Sequence, residues 1–444
     1  MVALLVPTHG SADRNRVRRR RGILQLTFFM PRIIFLNRFF HPDHSATSRM
    51  VSDLAFELAS SGKDVYVITS RQLYDKPGAD LPAYEIAHGV HIHRVGTTSF
   101  GRSRLPGRAM DYLSFYFTSW RCALSLAKPG DIIVAKTDPP MISLIGMAAA
   151  KQRGAKLINW VQDVYPEIAI EFGVPFLIAP VRRLLFWLRD ISLKAATANV
   201  VLGQLPAKLV LSRGVPSDGV TIIHNWSDED EIVPIAHADN TLRRAWGLSD
   251  KFVVGYSGNL GRTHEFLTML SVSERFRNDD RIVFLVIGGG HQNDGLAHEV
   301  KSRGLDRSYL FVPYQDAAVL KYSLGVPDVH WISLRPNFEG LIVPSKFYGI
   351  AAAARPMISI GSKEGELGRL VEEHQCGFAI EEGDVDSLES AITLLSHDRD
   401  LCATMGKRAR SMLDHHFTRR QAFDYWQILI SKVELGRPLG KSRG

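Results

Sequence analysis

The sequence predicts an α/β protein made of two Rossmann-like, doubly wound domains in tandem, and three observations carry that reading. Short β-branched runs alternate with helix-length segments from Met30 onward. The runs are apolar on both faces, as strands of a parallel sheet covered by helices must be. The alternation restarts after the polar segment 228–250, and 444 residues exceed what one ordinary core holds.

The first set opens with "RIIFLN" (32–37) and a helix through "SRMVSDLAFELASSG". "DVYVITS" (64–70), "VHIHRV" (90–95) and a long helix through "AMDYLSFYFTSWRCALSLA" follow. "DIIVAK" (131–136), a helix over about 140–152, "KLINWVQ" (156–162), "NVVLG" (199–203) and "VTIIHN" (220–225) complete it. The second set is "KFVVGYSG" (251–258), "RIVFLVIGGG" (281–290), "SYLFVPY" (308–314), "DVHWISL" (328–334), "PMISIG" (356–361) and "GFAI" (377–380). Helices lie between them, fill 384–414, and end with one through "RRQAFDYWQILISKVEL" (419–435). The domains are thus 30–228 and 229–418, with a helix and tail over 419–444.

Composition excludes several classes. A hydrophobic share of 45% with 23% charge is a soluble profile, and no apolar run reaches the ~18–20 residues a membrane span needs. Cys122, Cys376 and Cys402 are too scattered for a disulfide framework or a zinc site, which suggests a reducing, cytoplasmic setting. The net charge of +8 is concentrated at the start. Residues 1–29 hold Arg14, Arg16, Arg18, Arg19, Arg20 and Arg21 against the single acid Asp13. The nearly neutral remainder argues against nucleic acid as a partner. The basic extension is expected to be disordered and dispensable, because Met30 directly precedes a clean strand. Contact with anionic lipid and a targeting signal are the other readings, although no small-residue cleavage site follows "GILQLTFFM".

In a doubly wound sheet of order 3-2-1-4-5, ligands bind where strands 1 and 4 part. In the second domain the loops at that point are "YSGNLGRTHEF" and "RPNFEGLIVPSKFYG". Both lead into helices, with Thr263 and Ser345 as expected N-caps. Free N–H groups there favour a phosphate or diphosphate. Gly258 and Gly261 permit close approach, and Arg262 and Lys346 supply charge. A cation at the positive end of a helix costs roughly 0.3–1 kcal/mol, which an anion beside Lys346 would offset. The alternative is a solvated lysine neutralised by Glu339 or another acid.

The first domain has no such cradle. Its loops carry Asp43 and His44, then Asp138, then Gln162, Asp163 and Glu167, which suits a hydroxyl-bearing acceptor. His44 by itself reads as an exposed loop histidine; Asp163, directly past a buried strand, is the stronger candidate. "DVD" (384–386) reads as an N-cap, and "HIH" (91–93) as an exposed strand face without further ligands. "GGG" (288–290) is a tight turn in which Gly289 also comes close to a ligand, or a turn alone. No GxGxxG follows the first strand of either domain and no GxxxxGK[ST] occurs, against a dinucleotide dehydrogenase and a P-loop ATPase. In 174–196, Leu184, Leu185, Phe186, Trp187 and Leu188 are flanked by Arg182, Arg183, Arg189 and Lys194. That helix is buried on the first sheet or lies on a membrane surface.

Taken together, "GNLGRTHEF", "EG…PSK", "VQDVYPE" and "IIHNWSD" resemble the retaining glycosyltransferases of family 4 (group 1), over essentially 30–435. The likeness is closest to their bacterial exopolysaccharide and O-antigen branch, including the colanic-acid-type enzymes. The resemblance implies a GT-B fold with two domains facing a central cleft, and a last helix that crosses back to the first domain. It implies a nucleotide-diphosphate sugar on the second domain, an acceptor on the first, and retention without a required metal or other cofactor. Three departures stand out: Gly349 where many members have a ribose-binding glutamate, Asn259 and His264 around Arg262 where many have Arg and Lys, and Gln162 where a histidine commonly precedes the aspartate.

The expected activity is sugar transfer to a lipid-linked glycan on the cytoplasmic face of the inner membrane. Arg262 and Lys346 would stabilise the departing diphosphate and Asp163 would orient or help deprotonate the acceptor hydroxyl. Glu339 and Gly340 would touch the donor sugar, with Gly258, Asn259, Gly261, Gly289 and Ser345 around the donor. Asp43, His44, Asp138 and Gln162 would line the acceptor. Two other readings use the same elements: a nucleotide-sugar 2-epimerase, and a non-catalytic sugar-nucleotide-binding subunit of a polysaccharide assembly complex, which Gly349 favours.

Overall fold

A computed structural model describes residues 31–74, 76, 78–101, 105–174 and 177–438, so the basic extension 1–29 and its readings lie outside the described residues. The described chain forms two compact units. One gathers the chain up to Ala135, Ile145–Ile158 and the chain from Ile428; the other holds Lys136–Leu144 and Asn159–Gln427.

In the first unit, β1 (Ile33–Leu36), β2 (Val65–Ser70), β3 (Tyr84–Ala87), β4 (Val90–Val95) and β5 (Ile132–Lys136) lie in the order β3-β4-β2-β1-β5. All pairings are parallel except that of β3 with β4. Every residue of β1 is buried, the signature of a strand covered on both faces. β3 is absent from the sequence reading because "YEIA" is four residues long and half exposed. Its Tyr84 ring lies beside the β4 histidines, which are partly buried rather than exposed as expected. His91 stacks on Tyr66 with ring centroids 4.7 Å apart, and the Tyr84 hydroxyl meets His91 Nδ1 at 2.8 Å. The last turn of the helix Arg419–Leu435 is tied down here. Lys63 Nζ pairs with Glu434 at 2.8 Å, and Lys156 Nζ donates to the Val433 carbonyl at 2.5 Å.

In the second unit, the end of β6 (Lys156–Val161), β7 (Ala198–Val201) and β8 (Val220–Ile222) are neighbours in that order. A parallel sheet follows from β9 (Phe252–Asn259), β10 (Ile282–Gly289), β11 (Tyr309–Val312), β12 (Val329–Ser333), β13 (Met357–Ile360) and β14 (Gly377–Ile380). Its order is β11-β10-β9-β12-β13-β14. Strands 1 and 4 of this set, β9 and β12, are therefore adjacent and send their connections to opposite sides.

Helix ends are secured by carboxylates. Asp384 caps the helix Val385–His397 through the Ser387 N–H at 3.0 Å, as its sequence position suggests. The helix Gln204–Ser212 takes its cap from far along the chain: Glu366 accepts the N–H groups of Gln204 and Leu205, each at 3.1 Å. In the helix Ala179–Ala195, Arg189 is not one of the flanking surface cations. It is buried and pairs with Glu167 at 2.8 Å, while Ile178, Arg182, Arg183, Leu184 and Trp187 face outward. Among the described residues no helix is long and apolar enough to cross a membrane.

Replacing Glu366 by alanine should cost about 1 kcal/mol of stability, up to ~2, by analogy with lost caps, and Glu366→Gln less because it keeps an acceptor. Urea denaturation reads this directly. An alanine variant as stable as the parent would show the cap to be idle.

Candidate functional site

The loops that leave β9 and β12 are sewn to each other. The Arg335 N–H donates to the Thr263 carbonyl at 3.0 Å, and the Glu265 N–H to Ser333 Oγ at 3.0 Å. His264 Nδ1 donates to the Ser333 carbonyl at 2.5 Å. Gln292 Nε2 clamps the turn from the other side, donating to the carbonyls of Gly261 at 2.8 Å and His264 at 2.7 Å. The helix after this loop starts only at Leu267, so Thr263 is not its cap, contrary to expectation. The His264 N–H bonds back to Gly261 and makes a turn first. The first free N–H of the helix goes instead to Glu265, whose Oε1 accepts from Thr268 at 2.7 Å. Ser345 does occupy the N-cap position of Lys346–Ala352, but its side chain makes no capping bond.

Lys346 is the centre of this arrangement. Its Nζ lies 2.9 Å from the Asn259 carbonyl, 2.8 Å from His264 Nε2 and 4.7 Å from the Tyr256 ring centroid. Its stem lies across Gly258, where φ is +121° and a Cβ would sit 3.0 Å from Lys346 Cε. Only glycine takes that backbone and leaves that space. No carboxylate pairs with Lys346 among the described residues. Glu339, the expected neutraliser, turns to the helix Glu366–Glu373 and accepts the Glu366 N–H at 3.2 Å. Burial lowers the lysine pKa to about 7 and, with help from Glu366, raises that of Glu339 to about 7.

Of the other expected donor residues, only some meet this core. Asn259 contributes its carbonyl, and Gly261 lies in the turn that Gln292 holds. Arg262 is exposed, its guanidinium 4.9 Å from the Phe172 ring centroid. Gly289 ends β10 beneath the Tyr314 ring, and Gly340 follows Glu339 with φ +73° against Leu205. At Gly349 a Cβ would meet only Leu324, in ordinary contact at 3.4 Å.

A second group forms at the end of β6. The Val164 N–H donates to the Leu341 carbonyl at 3.0 Å, which brings Asp163 beside the loop that carries Glu339 and Gly340. Val164, Ile168, Leu334, Phe338 and Leu341 pack into one apolar cluster beneath. Gln162 Nε2 donates to Asn225 Oδ1 at 2.8 Å, and its N–H to Thr137 Oγ1 at 2.9 Å. Burial, with Asp138 nearby, raises the Asp163 pKa to about 6 against the opposing pull of Lys136. The ammonium of Lys136 lies 3.9 Å from the Trp160 ring centroid.

Asp43 and His44 belong to the first unit. Asp43 is buried and engaged by backbone: it accepts the N–H of Ser45 in its own loop at 2.8 Å and that of Tyr74 after β2. His44 is exposed. Asp163, Asp138 and Gln162 thus form one group, and the loop glycines with Asn259 and Lys346 another. Sequence reasoning missed Tyr256, Gln292 and Asn225, and noted His264 only as a departure. Among the described residues no three His, Cys, Asp or Glu side chains are grouped to hold a metal.

Comparison with known proteins gives a consistent picture. Residues 45–226 match a glycosyl transferase 4-like domain. The chain is 26% identical over 320 residues to the probable glycosyltransferase WbjE of Pseudomonas aeruginosa, over 71% of this chain and 78% of that one. It is 29% identical over 164 residues to the putative colanic acid biosynthesis glycosyl transferase WcaI of Escherichia coli, over 36% and 40% of the two chains. Among solved structures, HepE of Anabaena in complex with UDP-glucose superposes with a TM-score of 0.67 at 15% identity, over 90% of this chain and 99% of that one.

The Asp163 carboxyl offers a test of the geometry at β6. Its folded pKa stands above the ordinary value of 3.8, so the stability it contributes is full below about pH 4 and lost as pH rises through about 6. Asp163→Asn should therefore raise the melting temperature at pH 7.5, by a stabilisation of up to about 3 kcal/mol, and change it little at pH 4. Equal effects at both pH values would show that the carboxyl is not held in a shielded site.

Proposed function

We propose that the chain is a family-4 glycosyltransferase of GT-B fold, moving a sugar from a nucleoside diphosphate to a lipid-linked glycan, with retention, in bacterial surface polysaccharide assembly. The observation that carries this reading is Lys346, a shielded cation held by two neutral acceptors and no carboxylate where β9 and β12 part. Such a site holds no counter-ion of its own, among the described residues, to compete with an arriving anion. A diphosphate leaving group develops that charge as the glycosidic bond to the donor breaks, and a preorganised cation stabilises it. Arg262 adds charge at the rim. Asp163, ionised above about pH 6, would accept a hydrogen bond from the acceptor hydroxyl and help take its proton. The relative solved with UDP-glucose makes uridine sugars the first donors to test.

A lipid-linked acceptor calls for a membrane surface, and two helix faces support peripheral attachment. Leu184 and Trp187 are 53% and 59% exposed beside Arg182 and Arg183. In the first unit, Met110, Leu113 and Phe117 face outward along one side of the helix Leu105–Leu126, with Arg108 and Arg121 exposed on the same helix. Apolar side chains among arginines suit an anionic lipid surface.

Incubation with nucleotide sugars and lipid-linked acceptor tests the whole reading. Transfer is expected, with the product linkage in the donor's anomeric configuration by NMR and with activity surviving EDTA. Epimer formation without transfer, or binding alone, would favour the two other readings. Lys346→Ala should lower kcat by roughly 10²–10³, as lost oxyanion donors do, and Lys346→Gln should match it. Wild-type turnover in both folded variants would remove Lys346 from the reaction.

A further inference from the structure

We infer that His264 is a positioning residue that aims the Lys346 ammonium without neutralising it. This deepens the proposed function and rests on Lys346 meeting the donor's diphosphate.

The tautomer follows from the partners. A carbonyl oxygen only accepts, so the 2.5 Å contact with Ser333 requires the proton on Nδ1. In the neutral ring Nε2 then carries a lone pair, and Lys346 Nζ lies 2.8 Å from it. The Asn259 carbonyl takes a second ammonium proton at 2.9 Å, which leaves the third for a ligand. The ring cannot easily turn away. His264 is 8% exposed, Gln292 holds its carbonyl at 2.7 Å, and the Glu265 N–H is bound to Ser333 Oγ. Burial and the neighbouring Lys346 charge lower the imidazole pKa to about 3, so the ring stays neutral across the physiological range. A carboxylate at this position would fix the ammonium equally well but cancel its charge. A neutral acceptor fixes it and adds no opposing charge.

Calorimetric titration of the folded full-length protein with UDP provides the test, with GDP and ADP as further probes. His264→Met leaves only a weak thioether acceptor, and His264→Leu, should the first not fold, leaves none. Affinity should fall by roughly 10–100-fold, the worth of a charged hydrogen bond. His264→Gln, which keeps an acceptor, should recover most of that loss. A residue that acts through Lys346 must also fail to add to its loss. The double variant His264→Met/Lys346→Ala should therefore bind no worse than Lys346→Ala alone. Additive losses, or an unchanged His264→Met beside an impaired Lys346→Ala, would overturn this inference and leave the reading of Lys346 standing. Unchanged affinity in Lys346→Ala, or no binding of any of the three diphosphates to the parent, would instead overturn the reading beneath it.

Discussion

The second unit depends on one unneutralised ammonium. Taking a lysine out of water disfavours its charged form, which is why burial lowers the pKa of Lys346 to about 7. Proteins usually answer that cost with a carboxylate. Here the answer is two lone pairs and an aromatic face: Asn259 carbonyl, His264 Nε2 and the Tyr256 ring. Much of the local structure follows from seating that group. Gly258 takes a backbone conformation that makes room for the lysine stem. The loops after β9 and β12 are bonded to each other through Ser333, Thr263 and Arg335, so that the acceptors do not drift.

The carboxylates of the site show the complementary choice. Glu339 stands near in sequence yet is turned to the N–H of Glu366, and Glu366 in turn caps the helix that starts at Gln204. Each acid is thus spent on a helix N-terminus, where a negative charge is favourable. This keeps both away from Lys346. Asp163 differs again: burial and the nearby Asp138 raise its pKa, so it ionises only above about pH 6. One shielded cation and one reluctant anion therefore sit on neighbouring segments, joined by the Val164–Leu341 backbone bond.

The strands were legible in the sequence because parallel strands buried on both faces read as unbroken apolar runs. β1, β5, β12 and β13 are wholly buried runs of that kind, whereas β3 pairs antiparallel at an edge, and its half-exposed "YEIA" carries no such mark. The switch point was legible for the same reason, since strand order in a doubly wound sheet decides where two loops part. Side-chain partners were less so. A threonine before a helix looks like a cap, but Thr263 falls in a turn and Glu265 does the capping. Arg189 reads as a surface cation until its pairing with Glu167 is seen. His264 could have been singled out only by asking what a neutral acceptor does beside a lysine, and that question needs the Ser333 carbonyl 69 residues away to settle the tautomer.

A lysine poised near neutrality also couples charge to occupancy. When a nearby anion binds, it favours the ammonium and raises its pKa, so a proton is taken up with the ligand at pH values above about 7. Under the proposed function the site would acquire its full positive charge as the diphosphate arrives and relax toward neutrality when it leaves. A lysine paired with a carboxylate could not behave this way, because its charge would be present and compensated in both states. Neutral acceptors make the field conditional on the ligand. That favours release of the nucleoside diphosphate, the product such an enzyme must shed before it can bind donor again.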